Sequence, residues 1–184
     1  MNESEDVDRL QQYAPYLTAL ARAQLSPRYR AKVGVSDIVQ QSMIQAYQAI
    51  DDFRGTTDVE LRAWLRQILA RNLIHVDRDL HRDKRNIDRE RSLEDRLGQS
   101  SLCLEKLLAG SDPTPSQNIA TSERVVQLAA ALETLPEAQR EAIRMHYLEG
   151  KKLSEVAGLL DRSTGAVAGL LHRGLKALRE AMRE

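Results

Sequence analysis

The chain has 184 residues, room for one medium domain or two small ones. Its 27 Lys and Arg balance 27 Asp and Glu, which excludes a protein that holds duplex DNA by charge alone, since phosphate neutralisation supplies most non-specific affinity. A single Cys excludes an intramolecular disulfide and a cysteine-based metal site. With no apolar run near membrane-span length and an acidic start (Met1-Asn-Glu-Ser-Glu-Asp6) unlike a signal peptide, the composition predicts a soluble cytoplasmic protein.

One Trp, one Phe and five Tyr leave the cores to Leu, Ile, Val and Ala, which suits packed helices. Residues 1–8 are polar. From Val7 to Leu25 the positions Leu10, Tyr13, Leu17 and Leu20 recur at helical spacing, and Ser26-Pro27 ends the helix. After a connection from Arg28 to Gly34, Ser36 is expected to cap a helix from Asp37 to about Ile50, with Ile38, Met43, Ile44, Ala46 and Tyr47 as apolar positions. Asp37 there favours the positive end of the helix dipole. Residues 51–57 read as a loop with Gly55 as its flexible point. A long helix starts near Asp58, its period kept by Leu61, Trp64, Leu65, Ile68, Leu69 and Leu73, and the pattern fades past Val76 into interleaved acids and bases up to Arg91. Residues 92–121, with Pro113 and Pro115, read as a linker, mostly flexible, containing a short helix around Leu102–Leu108. A second domain begins near Thr121. Val125, Leu128, Ala129 and Leu132 define one helix, Pro136 opens the next, Ile143 and Tyr147 share a face of it, and Gly150 ends it.

Residues 152–178 then read as two short helices joined by a tight turn. Leu153, Val156, Ala157 and Leu160 line the first. Asp161 tolerates a left-handed turn and Ser163 caps the second helix. Val167, Leu171, Leu175 and Leu178, with Gly174, form its buried stripe, while Thr164, His172, Arg173 and Lys176 take the opposite face; no acid lies between Arg162 and Arg179. A helix-turn-helix with one apolar and one uncompensated basic face suits a DNA major groove. No strand pattern is present, so the predicted fold is all-α: two small helical domains, 1–91 and 122–184, joined by the linker 92–121.

Six motifs in order make the chain similar to the sigma-70 family of bacterial transcription initiation factors, in its small extracytoplasmic-function type. They are Ser36-Asp-Ile-Val-Gln-Gln41, Phe53-Arg-Gly55, Leu61-Arg-Ala-Trp-Leu-Arg-Gln-Ile-Leu-Ala-Arg-Asn72, Ala131-Leu-Glu-Thr-Leu-Pro136, Arg140-Glu-Ala-Ile143 with Tyr147-Leu-Glu-Gly150, and the helix-turn-helix. The first three match family region 2 and the rest region 4. The resemblance implies a non-enzymatic subunit, without cofactor or metal, that directs core RNA polymerase to promoters and opens the duplex. It implies docking on the clamp coiled coil of the polymerase through Asp37, Gln40, Gln41 and Gln45. It implies contact with the −10 element through Phe53, Arg54, Gly55, Thr56, Arg62, Arg66, Arg71 and Asn72, and with the −35 element through Arg162, Thr164, His172, Arg173 and Lys176. Further implied partners are the polymerase flap, promoter DNA and an anti-sigma factor, with no membrane insertion.

Arginines along a melted strand fit phosphate contact, and a small, polar loop at 52–57 fits a pocket for an unstacked base. Trp64 is placed to stack on a base or to join the core, and its apolar-face position favours the core. Family recognition helices commonly read Gly-Thr-Val-Lys-Ser-Arg-Leu; here Gly165-Ala-Val-Ala-Gly-Leu-Leu171 replaces the base-reading types. Two alternatives share part of the pattern: a helix-turn-helix regulator, which usually carries a sensor domain, and a polymerase-binding adaptor without sequence-specific readout. His75, His81, His146 and His172 lack metal-ligand spacing, and no nucleophile–base constellation argues for an enzyme.

Overall fold

The computed structural model describes residues 9–25, 34–81, 87–109 and 118–183, with side chains for 9–25, 34–76, 91–107 and 123–183. The described residues are helical with no strand, and the chain divides into two compact units, Met1–Gln99 and Ser100–Glu184.

The first unit is built on α1 (Ala14–Gln24), α2 (Val35–Gln48) and α3 (Asp58–His81), with a short 3-10 turn at Ile50–Asp52. The helix expected from Val7 onward is interrupted: a turn at 9–11 precedes α1, whose first turn contains Pro15. The proline has no N–H to give, and its ring would strike the carbonyl four residues earlier, so the two pieces cannot be one straight helix. Tyr16, Leu17 and Leu20 of α1 pack fully buried with Leu61, Leu65 and Leu69 of α3, and Ile38, Val39 and Ala46 face the same interior from α2. Gly34, not Ser36, stands at the start of α2, and Ser36 is exposed within it. The Gly34 carbonyl accepts from Asp37 at 3.1 Å and Ile38 at 3.3 Å. A Cβ on Gly34 would stand 2.7 Å from Oδ2 of the exposed Asp37 side chain, which would have to turn aside to admit it.

α4 (Ile87–Ala109) replaces much of the expected linker. Leu93, Leu97, Ser100 and Leu104 are buried along it at spacings of four, three and four, a helical stripe that the surrounding Gly, Ser and Gln obscure in the sequence. Pro113 and Pro115 lie outside the described residues, as do the side chains of the interleaved charges from 77 to 90 and the connection 26–33.

The second unit contains the C-terminal part of α4, then α5 (Asn118–Thr134), α6 (Glu137–Ile143) running into a π-helical turn (Arg144–Leu148), α7 (Leu153–Leu159) and α8 (Thr164–Ala181). α5 starts three residues ahead of Thr121, and Pro136 caps α6 from outside rather than opening it. Val125, Leu128, Ala129 and Leu132 are buried as their spacing requires. Ser100 of α4 donates to the Leu148 carbonyl at 3.3 Å, tying the linker helix to this unit. The π turn places Arg144, 4% exposed, among carboxylates: Glu141 at 2.7 Å, and Glu149, which Lys151 also pairs. A cation this buried is tolerated because it is paired on two sides. Gly150 takes φ 69° where the chain leaves the turn.

α6 crosses α8 at Gly174, which is buried; a Cβ there would stand 2.7 Å from Ile143 Cδ1. Glycine thus sets how closely these two helices approach. Between α7 and α8, Asp161 has φ 51°. Arg162 N–H bonds the Ala157 carbonyl at 3.0 Å and Asp161 N–H reaches Gly158 at 3.4 Å, the paired closure of a helix that ends in a left-handed residue. Ser163 Oγ then accepts from Ala166 N–H at 3.2 Å and caps α8. Both expectations for this turn hold.

Candidate functional site

Three surfaces collect the residues singled out by the sequence. The first is the outer face of α2. Asp37, Gln40 and Gln41 are exposed on it, and Gln45 is half-buried at its edge. Ile44 and Tyr47, expected in the core, are instead 44% and 40% exposed on this face, while Val39 and Ser42 take the interior positions. The angular step of a helix explains the exchange: 38, 39, 42 and 46 fall on one side, 37, 40, 41, 44 and 47 on the other. α2 carries no Lys or Arg, so the face is acidic and amide-rich with two apolar side chains in its middle.

The second surface is the loop from Phe53 to Thr57 and the start of α3. The loop is fixed, not slack. Glu60 Oε2 accepts from the N–H groups of Thr56 at 2.9 Å and Thr57 at 3.0 Å and from the Thr57 hydroxyl at 2.9 Å, while Thr57 Oγ1 accepts from Glu60 N–H at 3.2 Å. This is a capping box, legible as Thr57-x-x-Glu60, and it is the element sequence reasoning missed here. The Thr56 N–H bond, then those from Thr57, hold the Glu60 carboxyl below its ordinary pKa. Phe53 is half-buried, its ring 5.2 Å from that of Trp64 and tilted 37° to it. A Cβ on Gly55 would meet Phe53 Cζ at 2.3 Å, so Gly55 serves close approach of this ring to the backbone rather than flexibility. Trp64 is half-buried and packed on Phe53, which spends the stacking face both rings share. Arg54 and Thr56 are exposed.

Along α3 the four polar residues expected on DNA divide. Arg71 is exposed and Arg66 is half-buried, donating to the Tyr16 hydroxyl at 2.9 Å. Arg62 is 3% exposed and Asn72 7%. Asn72 Nδ2 donates to Ser42 Oγ at 2.9 Å and to Gln45 Oε1 at 3.1 Å. Both lie on the interior side of α3; the motif that contains them mixes outward and inward positions. Beside the helix start, Asp58 pairs with Arg9 at 3.4 Å and hydrogen-bonds Tyr13. Burial, followed by the Asp58 charge, pushes the Tyr13 phenol up to about 12.

The third surface is the helix-turn-helix. Arg162, Thr164, His172, Arg173 and Lys176 are all exposed, as are Ala166 and Ala168 between them. Lys176 approaches Glu180 only at 3.9 Å, with both side chains exposed, a pairing of little worth in solvent. Leu170, within the stretch that replaces the family's base-reading types and outside the expected buried stripe, is 8% exposed and joins Val167, Leu171 and Leu178 inside; Leu175 is half-buried. In the same unit a cleft of about 610 Å³ has Leu107, Leu128, Leu178 and Met182 among its apolar lining, and Arg124 and Arg179 among its cations.

Comparison with known proteins identifies the family of the chain. The family profile described as Sigma-70 region 2 matches residues 10–85, and Sigma-70, region 4 matches residues 126–178. The ECF RNA polymerase sigma-E factor of Salmonella typhimurium is 31% identical over 160 residues, covering 85% of this chain and 78% of that one; the protein of the same name from Escherichia coli K12 gives the same figures. The RNA polymerase sigma factor CnrH of Cupriavidus metallidurans is 32% identical over 150 residues, 80% of this chain and 74% of its own. Among solved structures, the sigma factor RpoE in complex with the anti-sigma factor NepR from Bartonella quintana is 20% identical, covering 96% of this chain and 95% of that one with a TM-score of 0.35. Two region profiles in order across most of the chain, with relatives that span it at this identity, establish that it belongs to the ECF group of the sigma-70 family of RNA polymerase sigma factors.

Proposed function

We propose that the chain, as a non-catalytic cytoplasmic subunit, docks on core RNA polymerase through the outer face of α2 and divides promoter contact between its two units. Asp37, Gln40 and Gln41 meet the clamp coiled coil, and the apolar cleft of the second unit suits a segment of the flap. Arg54, Thr56 and the framed loop 52–57 meet an unstacked base of the −10 element, with Arg66 and Arg71 on the strand backbone. Arg162, Thr164, His172, Arg173 and Lys176 hold the −35 duplex, mainly by its phosphates. Arg62 and Asn72 support α3 from inside. An anti-sigma factor as inhibitory partner rests on family membership.

The observation that carries this division is the chemistry of the exposed α8 face. Direct readout needs side chains with defined hydrogen-bond geometry at base edges, and Ala166 and Ala168 offer none. Discrimination therefore falls to the −10 side. Transcription from a randomised promoter pool tests it. Arg173→Ala weakens all promoters by a similar factor and lowers the salt slope by about one; exchange of residues 52–57 for another member's loop changes the preferred −10 sequence. The reverse pattern refutes the division.

A further inference from the structure

Asn72 follows Arg71 in the motif expected on the melted strand, yet its side chain is committed elsewhere. Its amide nitrogen carries two hydrogens. One goes to Ser42 Oγ at 2.9 Å and the other to Gln45 Oε1 at 3.1 Å. Ser42 is fully buried and gives its own hydroxyl proton to the Ile38 carbonyl at 2.8 Å, so its lone pair is free to receive Asn72. The bonds thus run from α3 into α2 and reach the rim of the outer α2 face. Gln45 lies one helical turn beyond Gln41 and next to exposed Ile44. With Gln45 Oε1 held, the end of that side chain left for a partner is its NH2 group, a donor.

We propose that Asn72, backed by Ser42, is a positioning residue for polymerase docking: it fixes Gln45 as an oriented hydrogen-bond donor on the docking face. The proposal rests on the reading of α2 as that face. Asn72 is too enclosed to touch a partner itself, so it acts through Gln45. An unheld glutamine samples several rotamers and presents either amide end; freezing one such side chain before association is worth about two- to tenfold in affinity. The same bonds tie the helix proposed for polymerase to the helix that carries Arg71.

The test is a titration of core RNA polymerase with the fluorescently labelled full-length chain. The variants are Asn72→Leu, Asn72→Ala, Gln45→Ala, Gln45→Glu and the double change Asn72→Leu with Gln45→Ala, each with a melting curve. Asn72→Leu keeps the forked four-atom outline, at a larger volume, and removes the donors. It weakens core binding by about two- to tenfold, and adding it to Gln45→Ala costs less than about twofold more, because nothing remains to be positioned. Gln45→Glu keeps an oxygen for Asn72 but has no donor to offer, and it loses at least as much affinity as Gln45→Ala. At saturating core polymerase, binding of a single-stranded −10 oligonucleotide stays within about twofold of the unmodified chain.

Full additivity of Asn72→Leu and Gln45→Ala overturns the proposal, and so does unmodified core affinity in Gln45→Glu. Loss of strand binding at unchanged core affinity makes Asn72 a DNA contact instead. If neither Asn72 variant folds, Gln45→Glu decides, since Gln45 is at the surface. Asp37→Ala with Gln41→Ala separates the two levels: unchanged core affinity in that variant refutes the docking face itself, whereas its loss together with full binding by Asn72→Leu refutes only the positioning role.

Discussion

Gly174 is where local preference and tertiary packing oppose each other most directly. In the middle of an exposed helix, Gly→Ala stabilises by about 1 kcal/mol. In α8 the added methyl stands 2.7 Å from Ile143 Cδ1 and 3.4 Å from Gln139 Cβ. Ile143 is fully buried, so its terminal methyl has no solvent to swing into. Overpacking of this kind costs about 1–3 kcal/mol, and the net expectation for Gly174→Ala is a loss of about 0–2 kcal/mol. The structure also names the compensating change. Ile143→Val removes the offending methyl; alone it costs about 0.5–1.5 kcal/mol, but paired with Gly174→Ala the two volumes exchange, giving a favourable coupling of about 1–2 kcal/mol. Urea unfolding of the full chain, followed by far-ultraviolet circular dichroism, measures this. Trp64 is the only tryptophan and belongs to the first unit, so its fluorescence follows the unfolding of that unit separately. Additive effects, or a Gly174→Ala variant stabilised by the full helix-propensity gain, would show that α6 and α8 do not meet at this glycine.

Asp161 holds a left-handed conformation with φ 51°; Asp161→Gly removes that penalty and raises the stability of the second unit by about 0.5–1 kcal/mol in the same urea experiment. Glu60 has its pKa held below the ordinary 4.5 by bonds from Thr56 and Thr57. Its contribution to loop order is therefore present above pH 4.5 and lost as pH falls through the lower, folded value. Amide exchange at Thr56 and Thr57 reports this: protection relative to the intrinsic rate at each pH falls on acidification in the native chain and is already lost at neutral pH in Glu60→Ala. The Tyr13 phenol, at about 12, lies above the ordinary 10.0. The unfolded chain gives up that proton first, so stability declines as pH rises from 10 toward 12. Ultraviolet titration finds the Tyr13 phenol ionising late, and Asp58→Asn moves it down.

The helices were legible where a single period ran without interruption. α3 starts at Asp58 as its pattern requires and α5 buries the residues its spacing selects, whereas α7 buries Val156 and Ala157 but leaves Leu153 and Leu160 half-buried, and α8 takes in Leu170 and leaves Leu175 half-buried. The turn at Asp161 and the Ser163 cap were legible too, because both depend on side chains acting within a few residues. Boundaries failed where one residue's backbone chemistry overrode a periodic stretch, as Pro15 does between 9–11 and α1, and where Gly34 takes over the start of α2. α4 failed for the opposite reason: Leu93, Leu97 and Leu104 are buried, but Gly, Ser and Gln around them lowered the apparent regularity.

Family membership, the two-unit organisation and the identity of the surface motifs follow from the sequence, since residue order and spacing carry them. Which motif residues face outward does not. A helical motif such as Leu61–Asn72 contains a full circle of side chains, and only packing against α1 and α2 decides that Arg71 is exposed while Arg62 and Asn72 are enclosed. The same packing turns Ile44 and Tyr47 outward, presses Phe53 onto Trp64 over Gly55, and brings Asn72 to Ser42 and Gln45, partners 30 and 27 residues away. Local chemistry acts over one helical turn and is written in the sequence; a bond between distant residues exists only once the hydrophobic faces of the helices have fixed their relative rotation.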